Sequence, residues 1–119
     1  MAEKHKMKEF KADYDEKNDS LFVYLDDSVS NGSVEMGNFI FDFDPDGNLK
    51  AMEILEASKI LKSILFKVIK LSKIKEFRAE MINFRNMASI KFSISDDINT
   101  ESSSFLIPRR LEKSPSIKY

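Results

Sequence analysis

Residues 42–53 read DFDPDGNLKAME, and the fold turns on how this stretch is taken. Letter for letter it satisfies the calcium-loop pattern of an EF-hand. Asp42, Asp44 and Asp46 hold the first, third and fifth places, Gly47 the sixth and Glu53 the twelfth. An EF-hand also needs a helix entering the loop. Residues 31–41, NGSVEMGNFIF, hold two glycines and then alternating aromatics, a poor helix and a good strand. Asp44-Pro45-Asp46-Gly47 is a hairpin signal, with Asp able to cap the turn, Pro preset for it and Gly free to take positive φ.

A three-residue loop at Pro45–Gly47 predicts a register. Asp44 faces Asn48, Phe43 faces Leu49, Asp42 faces Lys50, Phe41 faces Ala51, Ile40 faces Met52 and Phe39 faces Glu53. Asp42 and Glu53 then point to opposite faces of a sheet, and Lys50 stands at the ninth place, where a cation wants oxygen. The residues support a hairpin, with no metal site and no cofactor expected.

Working outward, Phe10, Ala12 and Tyr14 alternate with polar residues, and Asp15–Asp19 makes a turn capped by its own carboxylates. Leu21, Val23 and Leu25 alternate with Phe22 and Tyr24. Asp26–Gly32 reads as loop, Phe39–Phe43 as a third strand and Leu49–Leu55 as a fourth. From Ala57 to about Leu71 the apolar spacing becomes helical, with Lys59, Lys62, Lys70 and Lys73 on the opposite half and Phe66 among them. Residues 74–88 are ambiguous. Ile74, Phe77, Met81 and Phe84 fit a helix, while Phe77, Ala79 and Met81 fit the preferred strand over Glu76–Asn83. Phe84-Arg85-Asn86 reads as a hairpin turn, and Ile90, Phe92 and Ile94 mark the strand after it. Asp96–Glu101 reads as loop, and Ser103–Ile107 as a last strand stopped by Pro108.

The expected fold is α+β: an antiparallel four-stranded β-meander, a central amphipathic helix and C-terminal antiparallel strands. One domain spans residues 1–110, with a core over about 8–62, an extension over 63–110 and a tail at 111–119.

The chain has 119 residues, 42% of them hydrophobic and ten of them Phe, enough for a real core. It has no Cys, which removes disulfides and thiolate chemistry. His5 is the single His, and the charged N-terminus has no apolar signal region, so a cytoplasmic location is expected. No glycine loop fits phosphate binding, and nothing activates a nucleophile, so no enzyme is expected. The net charge of −1 hides a split. Residues 1–56 carry 6 Lys against 14 Asp and Glu, a net −8, and residues 57–119 carry a net +7.

The runs YDEKNDSLFVYL and FIFDFDPDGNLKAMEILEASK resemble a prokaryotic family of unknown function, domain-of-unknown-function family twenty-two eighty-three. Tyr14, Asp15, Asp19, Leu21 and Leu25 match its first block. Asp42, Asp44, Gly47, Glu53, Ile54, Leu55, Ala57 and Ser58 match its second. Phe22, Val23, Ala51 and Met52 depart from it only in size. The resemblance covers about residues 8–62 and implies no catalytic residues; an antitoxin-like role follows from it by analogy alone. Lys59, Lys62, Phe66, Lys70 and Lys73 are the candidate interaction residues of a non-enzymatic module that binds a protein partner or itself. The alternative is a nucleic-acid-binding protein using the basic second half, with Lys67, Arg78, Arg85, Lys91, Arg109 and Arg110. No membrane contact and no small-molecule substrate are expected.

The hairpin reading makes Gly47 a position of positive φ, where a β-branched side chain is strained. Gly47→Val should cost about 1–2 kcal/mol or more, read from the urea midpoint at unchanged slope.

Overall fold

The computed structural model describes residues 7–26, 30–83 and 86–108. In chain order the elements are β1 (Lys8–Asp15), β2 (Ser20–Tyr24), β3 (Gly32–Met36), β4 (Phe39–Phe43) and β5 (Leu49–Leu55). Helix α1 (Ala57–Ile64), a single 3-10 turn at Leu71–Lys73, β6 (Glu76–Asn83), β7 (Met87–Ser95) and β8 (Thr100–Pro108) complete the chain. All eight strands belong to one antiparallel sheet, in the order β3-β4-β5-β2-β1-β6-β7-β8.

This corrects the expected α+β meander with a central helix. The first strands do not run as a four-stranded meander. β1 and β2 form one hairpin, β3–β5 a three-stranded meander, and β2 joins them by pairing with β5. The chain is mostly sheet, with one helix of 8 residues. β1 is shared between two partners: Lys11–Asp15 pair with β2, and Lys8–Phe10 pair with β6. The extension therefore grows from the same sheet, and the expected strand over Glu76–Asn83 forms as β6.

The sheet curls into a half-barrel. Phe105 of β8 lies 4.4 Å from Phe39 of β4, ring centre to ring centre, although β5, β2, β1, β6 and β7 all stand between those two strands in the sheet. Phe105 also stacks on Phe92 at 5.4 Å and meets Phe41 at 6.2 Å. The concave face gathers Phe10, Leu21, Val23, Phe41, Met52, Ile54, Phe77, Ile90, Phe92 and Ile94 into one buried core. An offset or tilted ring pair adds about 0.5–1.5 kcal/mol to the burial of its area, so the aromatic contacts fasten the curl.

The Pro45–Gly47 turn forms as read. Gly47 has φ 84, its N–H donates to the Asp44 carbonyl at 2.9 Å, and the Asp44 N–H donates to the Asn48 carbonyl at 2.9 Å. Phe43 pairs with Leu49 as expected, but the register then slips at a β-bulge. Asp42 faces Ala51, Phe41 faces Met52, Ile40 faces Glu53 and Phe39 faces Ile54. The bulge places Lys50 and Ala51 outside the core cluster while Leu49, Met52 and Ile54 all enter it. An unbulged strand would have turned Met52 and Ile54 outward. Asp42 and Glu53 consequently share a face, contrary to the sequence expectation.

Two further differences concern short elements. β3 falls at the end of the expected loop and the start of NGSVEMGNFIF, joined to β4 by a tight turn in which Gly37 takes φ 60. β8 begins at Thr100 and ends with Pro108, on an edge strand, where proline is tolerated. Phe84 and Arg85 of the expected hairpin turn, His5 and the 111–119 tail lie outside the described residues.

Phe105→Ala removes the ring that joins the two ends of the sheet. It should lower stability by about 2–3 kcal/mol and speed amide exchange in β8 more than in β5, measured by hydrogen–deuterium exchange.

Candidate functional site

The concave face is closed by α1 and by the extended segment after it, residues 65–70. Helical periodicity predicts helix to about Leu71, but α1 ends at Ile64 and Leu65 is already extended, at φ −108 and ψ 149. The cause lies far along the chain. The Phe66 N–H donates to Glu101 Oε1 at 3.1 Å, and the Lys70 N–H donates to Asp96 Oδ2 at 2.8 Å. A continued helix would have used both N–H groups on carbonyls four residues back. Charged acceptors on the β7–β8 turn and on β8 offer stronger bonds. Ser63 assists by turning its hydroxyl onto the Ile60 carbonyl at 2.7 Å. The segment still buries Leu65 and Ile69, with Leu71 behind them, so the apolar spacing is satisfied without the helix.

Asp96 is the firmest of these ties. Its Oδ1 accepts the N–H groups of Ile98 and Asn99, both at 2.8 Å, while Oδ2 holds Lys70. These backbone donors, that of Asn99 first, pull its pKa down from 3.8 to about 2. Asn99 Nδ2 also reaches the Val68 carbonyl at 3.4 Å. The crossing segment is thus a strap pinned by its backbone near both ends, with Ile69 turned into the core and the side chains of Phe66, Lys67 and Val68 left in solvent.

Where α1 begins, a second network sets its direction. Asp19, at the end of the β1–β2 turn, has left-handed backbone at φ 53. Its carbonyl accepts the Ala57 N–H at 2.8 Å, Oδ1 accepts the Ser58 N–H at 3.0 Å, and Oδ2 accepts the Ser58 hydroxyl at 2.7 Å. Asp19 therefore caps α1 from a remote strand turn, because the N-cap residue Glu56 makes no side-chain cap. The Tyr14 hydroxyl donates to Asp19 Oδ1 at 2.6 Å. That bond to a carboxylate raises the phenol from 10.0 to about 12 and lowers Asp19. Asp15 caps the same turn through the N–H groups of Lys17 and Asn18, and its pKa falls, with the Asn18 side chain as the main cause.

The carboxylates of residues 42–53 have separate partners. Asp44 Oδ1 accepts the N–H groups of Asp46 and Asn48, both at 2.9 Å. Asp42 Oδ1 accepts the hydroxyls of Ser30 and Ser33, and Glu53 Oε2 accepts that of Ser20 at 2.8 Å. Among the described residues, no group of three or more His, Asp and Glu is placed to hold a metal ion.

The candidate interaction residues are distributed over three elements. Lys59 and Lys62 lie on α1, Phe66 and Lys70 on the strap and Lys73 in the 3-10 turn, and all five are exposed. They do not form one helix face, since the helix that would carry them stops at Ile64. The strap instead brings Lys67, which the helical reading did not place among them, to a groove of about 300 Å³ with Lys59 and Lys62. Phe66 is 100% exposed, Val68 65%, and Ile98 on the adjoining turn 87%. Sequence reasoning missed Val68 by assigning it to the buried half of a helix, and it had no signal for Ile98. Among the described residues Lys59 pairs with Glu56 at 3.4 Å, and no Lys62 or Lys67 pair is among the ion pairs.

The depressed pKa of Asp96 carries a pH signature. A carboxylate lowered on folding stabilises the fold fully above its unfolded pKa and loses that contribution as pH falls through the folded value. Strap stability should therefore decline between pH 3.8 and about 2, and Asp96→Asn should flatten that part of the profile, read from Lys70 amide exchange. At the other end of the helix, Asp19→Ala should cost about 1–2 kcal/mol in a thermal or urea melt.

The network around Asp19 coincides with what the chain shares with other proteins. Residues 11–58 match the model of the family described as "Protein of unknown function (DUF2283)". The match runs from β1 to Ser58, the residue whose N–H and hydroxyl Asp19 holds. The chain is also 29% identical over 102 residues to "Uncharacterized protein MJ0789" of Methanocaldococcus jannaschii, an alignment covering 76% of this chain and 88% of the relative. So wide a match must reach past Ser58 into the extension. No solved structure matches. Among the described residues, no helix is long and apolar enough to cross a membrane. Residues 11–58 are thus similar to the DUF2283 model, and the strap and β6–β8 lie beyond that match.

Proposed function

We propose that the protein is a non-enzymatic interaction module that binds another protein through the ridge formed by the strap and the β7–β8 turn. The observation that carries the reading is Phe66, 100% exposed on a backbone tied at Phe66 N and Lys70 N. A large ring held in solvent on a pinned segment gains nothing for the fold. Its burial by a partner would give roughly 2–3 kcal/mol, with little ordering cost because the segment is already fixed. Val68 and Ile98 extend the apolar surface, and the lysines around it supply a polar rim of the kind that interfaces carry. The carboxylates that could suggest catalysis are engaged in turns and caps, which supports a binding role over an enzyme.

The test separates stability from binding. Because the ring touches so little, Phe66→Glu should leave the melting temperature within about 2 °C. A photo-crosslinking amino acid at position 66, expressed in the native host, should yield a discrete protein adduct. The same group at exposed Glu9 should not. Adducts to nucleic acid at position 66, or no adduct there, would overturn the reading.

A further inference from the structure

Beside the exposed ring lies a feature the ridge does not use. α1 and the strap enclose a groove of about 300 Å³, at the small end of ligand sites and suited to one or two side chains. Its floor is apolar: Leu61, Ile69 and Leu71 are buried residues that line it, and exposed Val68 forms one lip. Lys62 and Lys67 stand at its rim, one from α1 and one from the strap, and both are exposed. Neither is in an ion pair among the described residues.

Resting on the interaction-module reading, we infer that this groove receives an apolar side chain from an acidic segment of the partner, with Lys62 and Lys67 meeting the carboxylates that flank it. Charge complementarity selects the occupant. A second copy docking by the same surface about a two-fold axis would bring lysines against lysines. A segment with acidic residues on either side of a leucine-like side chain satisfies the floor and the rim together. The apolar insertion supplies affinity, and the rim pairs, being exposed, contribute mainly to selection and to encounter rate. The groove therefore confers preference for sign of charge on a surface whose apolar anchors alone would bind with little discrimination.

The experiment uses the full chain, labelled for amide NMR, and three short synthetic peptides: leucines flanked by glutamates, leucines flanked by lysines, and serines flanked by glutamates. The Glu–Leu peptide should shift the amides of Leu61, Lys62, Lys67 and Val68 in a saturable way. The response should weaken about fivefold or more when salt rises from about 50 to about 300 mM. In the double variant Lys62→Glu, Lys67→Glu the preference should invert toward the Lys–Leu peptide. Lys62→Gln, Lys67→Gln should lose preference without inversion. No shift by about 1 mM peptide, equal binding of the Glu–Ser or Lys–Leu peptide, or shifts confined to other surfaces would each overturn the inference. These outcomes are independent of the crosslink at position 66. A discrete protein adduct there with a silent groove removes this inference alone, whereas loss of the adduct removes the module reading beneath it.

Discussion

A single aspartate, Asp19, holds the place where the sheet hands the chain to the helix. Its carbonyl and both carboxylate oxygens take up donors at the start of α1, and the Tyr14 hydroxyl holds the carboxylate from the side. Two residues in this junction, Asp19 and Glu56, have left-handed backbone without being glycine, a conformation that costs about 1 kcal/mol or more each. Several directed hydrogen bonds offset that cost. Asn38 adds two from the β3–β4 turn, donating its side-chain amide to the Leu55 carbonyl at 3.0 Å and accepting the Leu55 N–H on its own carbonyl at 2.8 Å. The end of β5 is thereby held from two strand turns, and from there the chain crosses the concave face. Where the strap runs, and hence where Phe66 is displayed, depends on that exit.

Much of this was legible locally. The Pro45–Gly47 turn has its own chemistry, and the alternation of Leu21 with Val23 or of Ile90, Phe92 and Ile94 marks strands wherever they pair. The end of α1 was not legible, because Leu65, Ile69 and Leu71 are buried whether the backbone is helical or extended. The choice falls to Asp96 and Glu101, some thirty residues away in sequence (35 for Phe66 and Glu101), and no local pattern reports them. β3 escaped notice because four of its five residues are exposed, so its side chains show no alternation. The bulge at Lys50 left a trace that could have been used. Leu49, Met52 and Ile54 cannot share one face of a regular strand, and their apolar character argued for a parity break before Met52. As for the candidate site, an aromatic among lysines pointed to Phe66, while Val68 and Ile98 become part of the same surface only through the strap and the β7–β8 turn.

The charge split has a different outcome from simple attraction between the two ends of the chain. Most ion pairs among the described residues fall within one half: Lys11 with Asp26 and Lys50 with Asp42 in the acidic half, Lys75 with Asp97 and Arg78 with Glu76 in the basic half, while Lys59 with Glu56 joins neighbours across the divide. Exposed pairs of this kind add little to stability. Acidic residues act chiefly as acceptors for backbone N–H groups and hydroxyls, as Asp15, Asp19, Asp44 and Asp96 do. Lysines have no acceptor capacity, and apart from half-buried Lys50 those of the described residues are exposed. The acids are built into the architecture and the cations stay available on the surface.

The divided pairing of β1 has a consequence for how the molecule comes apart. Among the described residues, the β6–β8 sheet is joined to β1 by the register from Lys8 to Phe10, against five aligned pairs between β1 and β2 and a longer ladder between β6 and β7. The weakest backbone connection in the sheet therefore runs along the boundary of the matched family segment. Cooperative units of exchange tend to follow such boundaries, each opening with its own free energy. Parting there would also break the contacts of Phe105 with Phe39 and Phe41 and of Phe10 with Phe77, so side-chain packing, more than backbone pairing, keeps β6–β8 joined to β1–β5.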